Sequence, residues 1–164
     1  MDVYYKLERD IHKLNNLVNE IRAYNEQEML EAFTDLIRHQ SFLTTLLSDY
    51  NATLSRKKLT LVVYDLVLIW KFFCNDPKAN KVQPSDELFE SIKLKNQHFL
   101  KYVSGEPDGD EKTEIISNQM GKIQSEPLLN IIYSKYSPGK EKYDGAILLD
   151  LQSLVEYFDK VVYG

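Results

Sequence analysis

Apolar residues recur through the first 24 positions at a spacing of 3-4-3-4-3: Tyr4, Leu7, Ile11, Leu14, Val18 and Ile21. That is heptad spacing, and it predicts a helix over about 3–24 with one apolar stripe. Leu17 widens the stripe, whereas Asn15, Asn16, Asn19, Glu20 and Arg22 fall away from it. A polar turn at 24–27 leads into a second periodic stretch, Met29, Leu30, Phe33, Leu36, Ile37, Leu43, Leu47 and Tyr50. The second helix is expected to run from about 26 to 50. Two helices of similar length joined by a short turn are antiparallel neighbours. The pattern therefore predicts an N-terminal αα-hairpin about 35 Å long, at 1.5 Å per residue.

After a break at 51–55 comes the most apolar stretch, 57–75. Val62, Val63, Val67 and Ile69 are β-branched, which suits a strand, but strands are commonly about 5–6 residues long. In helical projection Lys57, Thr60, Tyr64, Lys71 and Asn75 share a narrow stripe, which Leu61 and Leu68 interrupt. A helix apolar almost all round belongs inside a bundle. Asp65 stands out in this stretch, either paired with a lysine such as Lys58 or, as expected, reaching the helix edge at the surface.

The second half is more broken. A loop from Asn75 to Pro84 precedes Ser85, a cap for a helix carrying Leu88, Ile92, Phe99, Tyr102 and Val103 and stopping at Gly105. An exposed acidic loop, 106–113, follows. Ile115, Ile116, Met120 and Ile123 suggest a short helix that Gly121 weakens. Pro127 suits the first turn of another short helix reaching Tyr136, with a strand as the alternative. A loop over 137–145 separates it from the last helix. There Ile147, Leu148, Leu151, Leu154, Val155, Phe158, Val161 and Val162 share an arc of about 140°. Asp144 is a candidate cap, and Asp150, Ser153, Glu156, Asp159 and Lys160 form the opposite, polar face. No repeat of 30–45 residues appears, which argues against a solenoid. The expectation is an all-α, single-domain bundle over 1–164, with five to seven helices around a buried central helix at 57–75.

Composition agrees with this: 164 residues, 43% hydrophobic and 27% charged, with six Gly and five Pro, suit one globular helical domain. The single cysteine, Cys74, excludes an internal disulfide and reads as a small buried hydrophobe. No basic-then-apolar segment opens the chain, so a cytoplasmic protein is expected. The apolar run 59–74 is too short and too charged to span a membrane. The net charge of −5 is concentrated in Glu106–Glu114, whose five acids and one Lys sum to −4. Neither that segment nor the remainder is the basic footprint of a nucleic-acid binder.

Candidate chemistry is sparse. His12, His39 and His98 lie on separate helices without the acidic partner three residues earlier that di-iron bundles use, so surface histidines and no metal are expected. There is no glycine-rich phosphate loop, no nucleophile elbow and no complete calcium loop at Asp108–Asp110, so no cofactor is expected. A helical nuclease of the HEPN type would place an Arg four to six residues before a His. Lys93 and His98, with Asn96 between them, imitate that spacing, but Lys lacks the planar fork of Arg. The one basic-aromatic patch combines Tyr133, Tyr136 and Tyr143 with Lys135, Lys140 and Lys142. Such residues stack bases or form protein interfaces, and a pI near 5.3 favours protein. The sequence thus predicts a non-catalytic helical interaction module, an adaptor, inhibitor or complex subunit. Tyr133, Tyr136, Lys140, Lys142, Tyr143, Asp108, Asp110 and Glu111 are its candidate partner-binding residues. Its partner would be another protein or, as a homodimer through the Tyr4–Ile21 stripe, itself. The alternative is a nuclease or nucleic-acid-associated factor using Lys93 and His98.

Overall fold

The computed structural model describes residues 3–81, 85–120, 123–137 and 140–164. Pro84, Gly121, Pro138 and Gly139, expected in loops and breaks, lie outside the described residues. Among those described there are nine helices and no strand. They are α1 (Val3–Arg22), α2 (Glu26–His39), α3 (Leu43–Thr53), α4 (Arg56–Phe73), α5 (Pro77–Lys81), α6 (Asp86–Ser104), α7 (Asp110–Met120), α8 (Glu126–Tyr136) and α9 (Asp144–Tyr163). The all-α class is as expected, and both segments with a possible strand reading are helical. The helix number exceeds five to seven because 26–50 is divided and the loop after Asn75 contains α5. The helices pack as two compact units, Met1–Asp86 and Glu87–Gly164.

In the first unit α1, α2 and α3 all lie on α4. Ser55 starts α4 by accepting from the Lys58 amide at 3.2 Å. Val62 and the unbroken run Leu66–Trp70 are fully buried. Burial on every face is what an all-round apolar helix requires, and each large side chain contributes roughly 1.5–3 kcal/mol. Asp65 is buried as well, so the expected surface position does not hold, and it is engaged in an interaction there. The Trp70 indole donates to Asp35 Oδ2 at 3.0 Å, and His39 tilts against the Trp70 ring at 5.2 Å. His39 is therefore half-buried, whereas His12 and His98 are exposed as expected.

Asn25 and Glu28 form a reciprocal capping box that starts α2. The predicted continuous helix over 26–50 breaks at Gln40, which leaves helical geometry at φ −129° and ψ 65°. The Gln40 side chain is buried, with Nε2 3.5 Å from Ala79 O in α5. The second arm of the predicted hairpin is therefore shorter than the first, and the closest backbone approaches of both arms are to α4.

In the second unit α8 packs along α9. Leu128, Leu129 and Ile132 of α8 and Ile147, Leu151, Leu154, Val155 and Phe158 of α9 form its core. Tyr157 meets Phe89 of α6 edge-on at 6.4 Å. Asp159 in α9 accepts from both the amide and the hydroxyl of Ser125 at 2.8 Å, which fixes the start of α8. The acidic loop is shorter than expected, since Asp110, Glu111 and Lys112 already belong to α7. Gly109, at φ +151°, makes the turn before it.

Candidate functional site

The residues expected to bind a partner differ in exposure. Tyr136 is buried in the α8 core, and Tyr133 is half-buried, its hydroxyl pKa pushed up by burial. Lys140 and Lys142 are exposed, and the Lys142 ammonium sits 5.3 Å from the Tyr143 ring. Asp144 organises this turn: its Oδ2 accepts from the amides of Lys140 at 3.2 Å and Glu141 at 3.1 Å. It therefore holds the preceding turn, where a helix cap was expected. Asp108 is exposed and bonded to Lys112 at 3.0 Å, while Asp110 and Glu111 occupy the first turn of α7, where acids favour the helix dipole.

The polar face of α9, expected to be solvated, is largely interior. Asp150 and Ser153 are buried, and Glu156 and Asp159 are half-buried. The matching groups come from α6. Lys93 Nζ is 2.8 Å from Asp150 Oδ1. Fully buried Asn96 donates through Nδ2 to Ser153 Oγ at 3.1 Å and to Glu156 Oε2 at 2.9 Å. Ser153 Oγ donates in turn to Leu149 O at 2.6 Å. Asp150, Ser153 and Glu156 of α9 thus each meet a complementary group on α6. This occupies the residues of the nuclease alternative: Lys93 is held by Asp150 and Asn96 is enclosed, while exposed His98 lies five residues from Lys93, about 140° away around the helix.

Three oxygens in this network have no hydrogen-bond donor among the described residues: Asn96 Oδ1, Gln152 Oε1 and Glu156 Oε1. Burial pushes the Glu156 carboxyl pKa upward, against the opposing influence of hydrogen bonds from Asn96 and Gln152 and of the charge of Lys95. Glu156 also borders a cleft of about 390 Å³. Leu88, Ile92 and Ile123 supply apolar wall, and Lys95, Asp159 and Lys160 supply charge. The sequence held one signal of this: polar residues three apart on both helices, at 93 and 96 and at 150, 153 and 156. Periodicity alone reads such a stripe as a solvated face.

In the first unit the reversal runs the other way. The apolar stripe of α1 is buried at Leu14 and Ile21 but exposed at Tyr4, Leu7 and Ile11, by 73%, 39% and 44%. Tyr5, beside them, is 73% exposed. The change falls at Lys13, whose ammonium donates to Phe72 O at 2.5 Å in the last turn of α4 and lies 4.5 Å from the Phe72 ring. Lys13 supplies a donor to the carbonyl end of α4. Before it, Leu7 and Ile11 of the stripe are exposed. No family model, curated protein or solved structure matches the chain. No helix among the described residues is long and apolar enough to cross a membrane. Cys74, half-buried, has its thiol pKa raised by burial, the opposite of an activated nucleophile.

Proposed function

We propose that the protein is a non-catalytic helical interaction module whose first helix receives an amphipathic helix of another protein. The observation that supports this reading is the exposure of Tyr4, Tyr5, Leu7 and Ile11 on the stripe that α1 uses, further along, for its own core contacts. Heptad spacing continues across both halves, so a partner helix can follow the same ridge. A second copy fits less well. The four side chains offer about 400–500 Å², taking roughly 150–250 Å² for a whole aromatic side chain. Stable dimers bury about 800 Å² per partner. A two-fold pairing would also confine the contact to the same stripe on both chains. A different protein is free of that symmetry and can extend beyond the stripe.

The test combines two measurements on the wild type, Leu7→Glu and Ile11→Glu. Light scattering of the purified wild type should give a monomer of 19.2 kDa at micromolar concentration. Affinity capture from the native cell, followed by reconstitution of the purified pair, should give a stoichiometric complex that both variants lose while melting like wild type. A wild-type dimer that Ile11→Glu dissolves would replace the partner helix by a second copy. A reconstituted complex unaffected by both substitutions would remove the stripe from the interface.

A further inference from the structure

We propose that Glu156 is a pH-driven latch between α6 and α9: as a neutral acid it lies inside on Asn96, and as a carboxylate it turns into the bordering cleft toward Lys95. This is independent of the α1 stripe and concerns a different part of the chain.

The inner position suits the neutral acid. Asn96, fully buried on α6, donates to Glu156 Oε2 at 2.9 Å. Glu156 Oε1 is closed to solvent and has no donor among the described residues, and the same holds for Gln152 Oε1 and Asn96 Oδ1. Buried acceptors without donors are costly. A proton on Oε1 turns that atom from an acceptor into a donor. Gln152 stands one turn earlier on α9, within hydrogen-bond reach of the carboxyl. A half-turn of its amide lets its oxygen accept from the protonated carboxyl.

The carboxylate is better served outside. Inside, burial penalises its charge, and the bonds from Asn96 and Gln152 only partly offset that. Outside, the cleft of about 390 Å³ borders Glu156 and gives both oxygens access to water. Lys95 of α6 lines that cleft, and its charge favours the ionised form. The other charges around the cleft are on α9: Asp159, which opposes ionisation, and Lys160. Lys93 of α6 is held 2.8 Å from Asp150. Gln119 of α7, Gln124 ahead of α8 and the Tyr163 phenol carry no charge in the range where a carboxyl titrates. Ionisation therefore frees an Asn96 N–H and adds a negative charge to the cleft, whereas protonation ties α9 to α6 and withdraws that charge.

The test is an NMR pH titration of the full chain with isotope-labelled glutamate side chains. Glu156 should titrate at a higher pH than exposed Glu90 in the same spectra. Below the Glu156 midpoint, nuclear Overhauser contacts should join its Cγ protons to the Asn96 side-chain amide. Above the midpoint those contacts should be lost and replaced by contacts to the Lys95 side chain. Glu156→Gln, a neutral mimic of the acid, should keep the Asn96 contacts at every pH. Lys95→Met should raise the midpoint, because the ionised form loses its partner in the cleft. The proposal is overturned if Glu156 titrates together with Glu90, if its contacts with Asn96 persist unchanged through the midpoint, if Glu156→Gln loses them as the pH rises, or if Lys95→Met leaves the midpoint in place.

Discussion

Helices α4 and α9 are both deeply buried, yet they are buried by different means. In α4 the fully enclosed run Leu66–Trp70 is apolar, and its polar link is the Trp70 indole on Asp35. In α9 the apolar side lies in the core with α8, while Asp150, Ser153 and Glu156 face polar groups of α6. Apolar burial is non-directional and tolerates exchange of one hydrocarbon for another. A buried polar contact requires a particular donor facing a particular acceptor, and removing either leaves the other costly. The lesson is that α4 supplies bulk stability, whereas α9 supplies a specified arrangement, with Glu156 held at the edge of a cleft.

The largest expected effects fall on the apolar helix. Leu66→Ala and Trp70→Ala should each destabilise by about 3–5 kcal/mol in denaturant melts, from lost transfer energy and the cavity left behind. Losses under about 1 kcal/mol in both would remove α4 from the core. On α9 the decisive change is polar. Asn96→Ala leaves Ser153 and Glu156 without their shared donor, at a cost of about 1–3 kcal/mol. Asn96→Asp should be worse than Asn96→Ala at neutral pH, because it sets a carboxylate against Glu156. Equal melting of the two would show that Asn96 and Glu156 are not in contact.

A smaller effect separates the helices by pH. The folded-state pKa of Glu156 is raised by burial. Its contribution to stability is therefore fully present below the unfolded carboxyl value of about 4.3 and is lost as pH rises through the folded value. Glu156→Gln should consequently be more stable than wild type at neutral pH, with the difference shrinking as the pH falls toward 4. A difference independent of pH would contradict the burial of that carboxyl. The smallest effect is expected where α1 passes beyond cover: Leu7→Glu and Ile11→Glu should change stability by no more than about 0.5 kcal/mol. Leu14→Asp, on the buried part of the same stripe, should be strongly destabilising, so only the earlier positions report on binding.

The helical class, the buried helix around 57–75 and the start of α8 at Pro127 were all legible, because each rests on local pattern. What was not legible depends on what lies opposite. The heptad of α1 has one spacing throughout, and nothing in it marks Lys13 as the point where cover ends. Leu36 and Leu43 keep helical phase across Gln40, so the break between α2 and α3 is invisible without Ala79, 39 residues away. Asp150, Ser153 and Glu156 read as a solvated face because water and a facing polar helix satisfy the same groups. Tyr136 was grouped with exposed lysines by proximity in sequence, although its place on α8 turns it into the core.

The buried polar arrangement between α6 and α9 is most directly tested by NMR of the Asn96 side-chain amide. Its Nδ2 protons should exchange with solvent far more slowly than those of exposed Asn15 and should shift in Glu156→Gln. Exchange as fast as that of Asn15, with no response to Glu156→Gln, would contradict the arrangement and the cleft built upon it.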